Sequence, residues 1–146
     1  MVGLVPCIWS WCLATKPLNQ ILAIGLLGLA ALHTVGLRSN HSAYQRTQAT
    51  ILGYDMVDRL RANRVRAMAG NYNLLMNATP AGGDGAAPLE DDDHGQWSTN
   101  LGALLPNGDG SIACDASGFC TVSVQWEDGR AEGGPTTQTF TMTTQI

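Results

Sequence analysis

Cys114 and Cys120 stand three residues either side of Ser117 in "ACDASGFC", so a chain that turns at Ser117 brings the two thiols opposite each other. In an oxidising compartment such a pair forms a disulfide. Free thiols and a two-cysteine metal site are the other readings, and the metal site lacks partners, since no second Cys-x-x-Cys and no nearby histidine accompanies the pair. A bridge over so short a loop contributes only ~2 kcal/mol in the chain-entropy picture. Cys7 and Cys12 lie far upstream, before a long apolar run. If that run crosses a membrane, the two cysteine pairs meet different redox conditions.

Glu90, Asp91, Asp92, Asp93 and His94 supply hard oxygens and an imidazole, the donors that hold calcium or another divalent ion. Consecutive residues rarely converge on one ion, so the spacing favours a solvated acidic loop. Asn107, Asp109 and Ser111 in "LPNGDGS" echo a calcium loop in their alternate oxygens and equally suit a plain turn. His33 and His41 stand apart from His94, and there is no Gly-x-Ser-x-Gly, phosphate-cradling glycine loop or His-Glu-x-x-His. The expectation is therefore a protein that is not an enzyme, with no catalytic residue, no cofactor, no metal ligand and no small-molecule substrate. Arg59, Arg61, Arg64 and Arg66 are open to use as a partner-binding patch, but cations near a helix C-terminus more often form a solvated face.

The elements that must position these groups begin with residues 21–32, twelve positions without a polar side chain, after which only His33 and Thr34 interrupt the run to Leu37. As a helix, residues 21–37 span roughly 26 Å at ~1.5 Å per residue. Starting at Leu18, after Pro17, makes the segment just long enough for a ~30 Å hydrocarbon core, and Lys16 places the N-terminal side in the cytoplasm. Gly25, Gly28, Ala30 and Ala31 offer small surfaces on which helices approach closely in an apolar medium. A cleavable export signal ending at Ala30 and a buried core helix are the competing readings of this run.

Past Leu37 the pattern turns amphipathic with no proline before Gly70, which predicts one helix from residue 18 to Ala69, roughly 78 Å long. Leu52, Met56 and Leu60, broadened by Ile51 and Val57, form a stripe for a small domain. Asp55 with Arg59, and Asp58 with Arg61, are spaced for i,i+4 and i,i+3 ion pairs. Residues 70–100 read as a glycine, alanine and proline-rich loop region. Residues 101–146 read as an antiparallel sheet: two strands around "ASG", a break at "GRAEGGP", and a last strand in "TTQTFTMTTQI". In the second strand Val122, Val124 and Trp126 alternate with Thr121, Ser123 and Gln125, so one face is turned to the helix. The fold class is α+β.

The whole chain of 146 residues carries a net charge of -4, with all twelve acidic residues at or beyond Asp55. Net charge and the clustering of the arginines give no extended basic face of the kind that follows a nucleic-acid backbone, so nucleic acid is not an expected partner, and a locally basic helix face stays open.

The runs "IGLLGLAAL", "LRSNHSAYQRTQAT" and above all "YDMVDRLRANRVRAMAGNYN" closely resemble the N-terminal helix of type IV pilus modification proteins of the PilV kind, a minor pilin family. "DGSIACDASGFCTVSVQWED" and "FTMTTQI" are similar to that family's ending, so the resemblance covers residues 23–146. It implies a pilin-like subunit: a helix whose first half sits in the inner membrane and later in a filament core, and whose second half packs on a periplasmic sheet domain. It also implies other major and minor pilins, the pilus assembly machinery and inner-membrane lipid as partners, and a part in pilus biogenesis and adhesion. The departure is at the start. A pilin precursor carries a basic leader, then a Gly-Phe-x-x-x-Glu run; here that junction falls near Trp9 and Ser10, and the glutamate near Ala14. The expectation is that residues 1–17, and on to about residue 20, form an atypical segment produced by a frameshift or a misplaced start, without prepilin peptidase recognition. Two other readings remain open: a minor pseudopilin of a type II secretion system, and a membrane-anchored periplasmic module that binds a ligand or ion through the acidic loop.

Overall fold

A computed structural model describes residues 8–80, 88–129 and 136–146, with side chains from residue 18 onward. Cys7 lies outside the described residues, as do the side chains of Cys12, Lys16 and Pro17, and so do residues 81–87 of the expected loop. The chain divides into two compact units, Met1–Ser39 and Asn40–Ile146.

Helix α1 runs Ile8–Ala62. It begins before the expected Leu18, because proline deletes one rung of a helical ladder at about 3 kcal/mol and the rungs on both sides of Pro17 carry through it. Its threonines do not disturb it: Thr34, Thr47 and Thr50 each donate the hydroxyl to the carbonyl four residues back, at 2.8–3.0 Å. Within the second unit the predicted stripe is the buried one, with Leu52, Met56, Val57 and Leu60 all withdrawn from water. Each such side chain stabilises the fold by about 1.5–3 kcal/mol relative to exposure. Ile51 does not belong to the stripe: it is more than half exposed.

The helix does not continue unbroken to Ala69. It stops at Ala62, Asn63 leaves helical geometry at φ -121°, and a short helix α2 follows over Arg64–Met68. Asparagine competes with the helical backbone through its side chain, and here the Asn63 amide donates to the Tyr72 hydroxyl at 3.1 Å. Gly70, at φ +82°, then turns the chain back, a conformation that glycine adopts without strain.

Residues 70–100 are not a loop throughout. Helix α3 occupies Leu89–Leu104, across the boundary expected at residue 100. Pro88 precedes it and accepts the first turn's N–H groups from Asp91 and Asp92, while Glu90, Asp91 and Asp92 place negative charge at its N-terminus. Leu105 goes to extended geometry ahead of Pro106, which ends the helix. The acidic run is thus the first turn of a helix, and the solvated loop expected there gives way to it.

The sheet has the order β1-β2-β3, all antiparallel, from Asp109–Cys114, Phe119–Glu127 and Thr137–Gln145. The turn falls where "ASG" predicts it, with Gly118 at φ +84°. Val122, Val124 and Trp126 are buried and Thr121, Ser123 and Gln125 are not, as the alternation requires. Asn73 and Leu74 cover the outer edge of β1: Leu74 exchanges both backbone hydrogen bonds with Ile112, and the Asn73 side chain accepts from the Cys114 N–H at 2.7 Å. Unpaired edges invite other strands, and this one is occupied.

One core joins these elements, from Ala49, Leu52, Met56, Val57 and Leu60 of α1 through Trp97 and Leu101 of α3 to Ile112, Val122 and Val124 of the sheet. The amphipathic part of α1 packs on the sheet, and it comes close at Gly53, where a Cβ would sit 3.0 Å from the Phe140 ring. Trp97 is wholly buried, and its indole N–H donates to the Leu52 carbonyl of α1 at 2.9 Å.

Candidate functional site

Two regions bear on function. The first is the apolar stretch at the start of α1. Leu18, Ile21, Leu22, Ile24, Leu26, Leu27, Leu29, Leu32, Val35 and Leu37 are 48–71 % exposed. Covering ten such side chains is worth roughly 20 kcal/mol, more than the whole stability of a typical domain. The stretch is long and apolar enough to cross a membrane, and Thr34, its interrupting hydroxyl, is already satisfied by the Ala30 carbonyl. Gly25, Gly28 and Gly36 have open space where a Cβ would stand, so they offer flat approach surfaces rather than filling a gap in this chain. His33 lies on the same exposed run.

The second region is a polar network between α1, the segment after Gly70 and α3. Arg59 lies at its centre. Its Nε meets Asp55 Oδ2 at 3.1 Å, one helical turn back, and its Nη1 meets Asp93 Oδ1 at 2.8 Å on α3. The other oxygen of Asp93 accepts the Tyr72 hydroxyl at 2.7 Å, and Tyr72 in turn accepts from Asn63. Arg66 pairs with Glu90 Oε1 at 3.2 Å, and the Asn71 amide donates to the same oxygen. A carbonyl can only accept, so His94 carries its proton on Nε2, which donates to the Tyr72 carbonyl at 3.1 Å; the two rings meet edge to face.

Burial in this network, reinforced by the hydrogen bond to Asp93, pushes the Tyr72 phenol up to about 12. Its proton is thereby held more firmly, the opposite of what a working acid near neutrality needs. Glu90 moves the other way: the N–H of its own backbone, the Asn71 amide and the positive charge of Arg66 hold its carboxyl below the usual range. The network fastens the end of α1 and the returning chain to α3.

The residues singled out in the sequence are distributed as follows. Cys114 and Cys120 are bonded to each other, directly opposite in the β1–β2 register. Asp55–Arg59 and Asp58–Arg61 form the expected pairs. Arg59 and Arg66, expected on a solvated face, instead reach acidic residues of α3, while Arg61 serves Asp58 and the Thr144 hydroxyl. Glu90, Asp93 and His94 come together with Tyr72, and their partners are protein groups. Among the described residues no group of three or more His, Cys, Asp or Glu side chains is placed to hold a metal ion. Asn107, Asp109 and Ser111 belong to a turn and the strand after it: Asn107, at φ +47°, donates to Glu127, and Asp109 accepts from the backbone N–H groups of Gly110 and Asn77. Tyr72, Asn63 and Trp97 were not visible as a group in the sequence. The signal for α3 was Trp97, Leu101 and Leu105 at four-residue spacing behind an acidic first turn.

Comparison with known protein families, with curated proteins and with solved structures finds no match to this chain.

Proposed function

We propose that this chain is a non-enzymatic subunit of a type IV pilus system, of the minor pilin kind, anchored in the bacterial inner membrane by the first part of α1 with its sheet unit in the periplasm. The observation that carries the reading is the pairing of an exposed apolar helical run with an amphipathic continuation that packs on a small, disulfide-bonded antiparallel sheet. An anchor needs the first part and subunit contacts in an oxidising compartment suit the second. The resemblance of residues 54–73 to the PilV kind supports the same assignment. In this reading the exposed leucines and glycines meet lipid before assembly and neighbouring pilin helices after it. No reacting group is called for, and the pairing of Arg59 of α1 and Arg66 of α2 with Asp93 and Glu90 of α3 is consistent with that.

The test is fractionation of cells that carry the gene at its own locus. Immunoblotting is expected to find the chain in the inner-membrane fraction and in sheared pili, and deletion is expected to reduce piliation. A product confined to the soluble cytoplasm refutes the proposal. Unchanged piliation together with impaired protein secretion transfers the chain to the type II pseudopilins.

A further inference from the structure

The two edges of the sheet differ. That of β1 is occupied by Asn73 and Leu74, whereas β3 pairs with β2 alone among the described residues. The Ile146 N–H donates to the Gly118 carbonyl, and the Asp128 N–H to the Thr136 carbonyl. In an antiparallel ladder only every second residue exchanges bonds with a given neighbour, so the even-numbered residues of β3 serve β2. The backbone N–H and C=O groups of Thr139, Thr141, Thr143 and Gln145 therefore point off the open edge.

Such an edge is ordinarily blunted by charge, proline or a bulge, and Thr137–Gln145 has none of the three. Its helix-facing side is unfinished as well: Val122 and Val124 are wholly buried, but their partners Met142 and Phe140 are only partly so. Two cations of α1 reach over that side, Arg46 to the Gln138 amide oxygen at 3.3 Å and Arg61 to the Thr144 hydroxyl at 3.2 Å. The strand positions they meet are ~20 Å apart along an extended chain.

A second copy of this chain does not fit the edge. Isologous pairing of β3 sets odd residues against odd, which keeps both helices on one face of the joined sheet. With α1 following β3 and Gly53 against Phe140 and Met142, the two helices would lie about one strand spacing apart, ~4.8 Å, where packed helices need about 8–10 Å. An extended segment without a helix of its own has no such clash.

We propose that the open edge of β3 takes an extended segment of a partner polypeptide as an added antiparallel strand, with two apolar side chains beside Phe140 and Met142 and an acidic side chain at each end, opposite Gln138 and Thr144 and within reach of Arg46 and Arg61. The inference does not depend on the assembly reading above.

The experiment uses the full chain, isotope-labelled in detergent micelles, with the blocked peptide acetyl-Glu-Thr-Val-Thr-Val-Thr-Glu-amide as probe. In the free chain the amides of Thr139, Thr141 and Thr143 are expected to exchange freely with deuterated water, while those of Phe140 and Met142 are protected by β2. Titration is expected to shift the β3 amides saturably, with a dissociation constant of about millimolar order, and to slow exchange at the three threonines. Methylating the backbone nitrogens of the peptide's threonines, which face β3, is expected to abolish binding, and methylating those of its valines, which face away, to leave it. Lysine in place of both glutamates is expected to bind more weakly. Thr141→Pro removes an outward N–H and spares the bonds to β2, so binding is expected to fall about tenfold or more. Arg46→Gln with Arg61→Gln, both exposed, is expected to weaken binding several-fold and serves if the proline variant does not fold. Protection of Thr139, Thr141 and Thr143 in the free chain, no saturable response, or undiminished binding of the threonine-methylated or the lysine peptide overturns the proposal.

Discussion

At Gly110 the backbone of β1 runs against the indole of Trp97, and a Cβ would stand 2.2 Å from its Cη2 atom. The indole cannot retreat, because it is wholly buried and tied to the Leu52 carbonyl. Gly110→Ala is therefore expected to destabilise the fold by about 1–3 kcal/mol in denaturant melts. Gly102→Ala, in α3 with nothing within 4 Å of the new methyl, is expected to stabilise by up to about 1 kcal/mol. Tyr72 yields a pH prediction. Its folded-state value lies above the ordinary 10.0, at about 12, so folding favours the protonated phenol. That contribution is complete below pH 10 and is lost as pH rises toward 12. Melting temperatures recorded across that window are expected to fall, and Tyr72→Phe to start lower and fall less steeply. Neither site was legible in the sequence, since a glycine's neighbour and a tyrosine's partner lie 13 and 21 residues away along the chain.

Among the elements, α1 and the three strands were legible because each keeps one period over its buried face, four-residue spacing in Leu52, Met56 and Leu60 and alternation in Val122, Val124 and Trp126. Helix α3 was not, because its buried face includes Glu90, Asp92, His94 and Gly95 beside Trp97 and Leu101. Polar groups whose burial is compensated by ion pairs and hydrogen bonds fill the first half of that face, so the apolar period is confined to Trp97, Leu101 and Leu105 at its end. The end of α1 was hidden for a related reason: Asn63 breaks the helix toward Tyr72, a partner beyond the turn. The hairpin was the most legible unit, with Cys114 and Cys120 placed opposite each other by the turn that their spacing predicts. Cys114→Ser with Cys120→Ser is expected to lower stability by about 2 kcal/mol in denaturant melts, leaving strand content by circular dichroism unchanged, because the β1–β2 ladder runs on for five further residue pairs beyond the bridge.

For the molecule as a whole, the division at Ser39 separates two units of different composition. Residues 1–39 hold no acid at all, and every carboxylate side chain belongs to the second unit. The apolar stretch was legible from composition alone. Leu27→Arg, at a position 71 % exposed, is expected to cost about 2.5–3.5 kcal/mol of membrane insertion and to move much of the chain out of the carbonate-resistant membrane fraction. Because residue 27 lies in the first unit, the melt of the second is expected to stay where it was. The second unit has its own contrast of surfaces. On the sheet's outer face the hydroxyls of Thr121 and Thr143, and of Ser123 and Thr141, meet at 3.0 Å, beside Gln125 and Thr139. None of these six side chains ionises, so they carry no charge for dissolved ions to screen, and the carboxylates of Asp109 and Glu127 stand at one end of the same face. The ionic-strength response of the second unit is instead expected at its charged pairs, and first at the exposed Arg61–Asp58 pair.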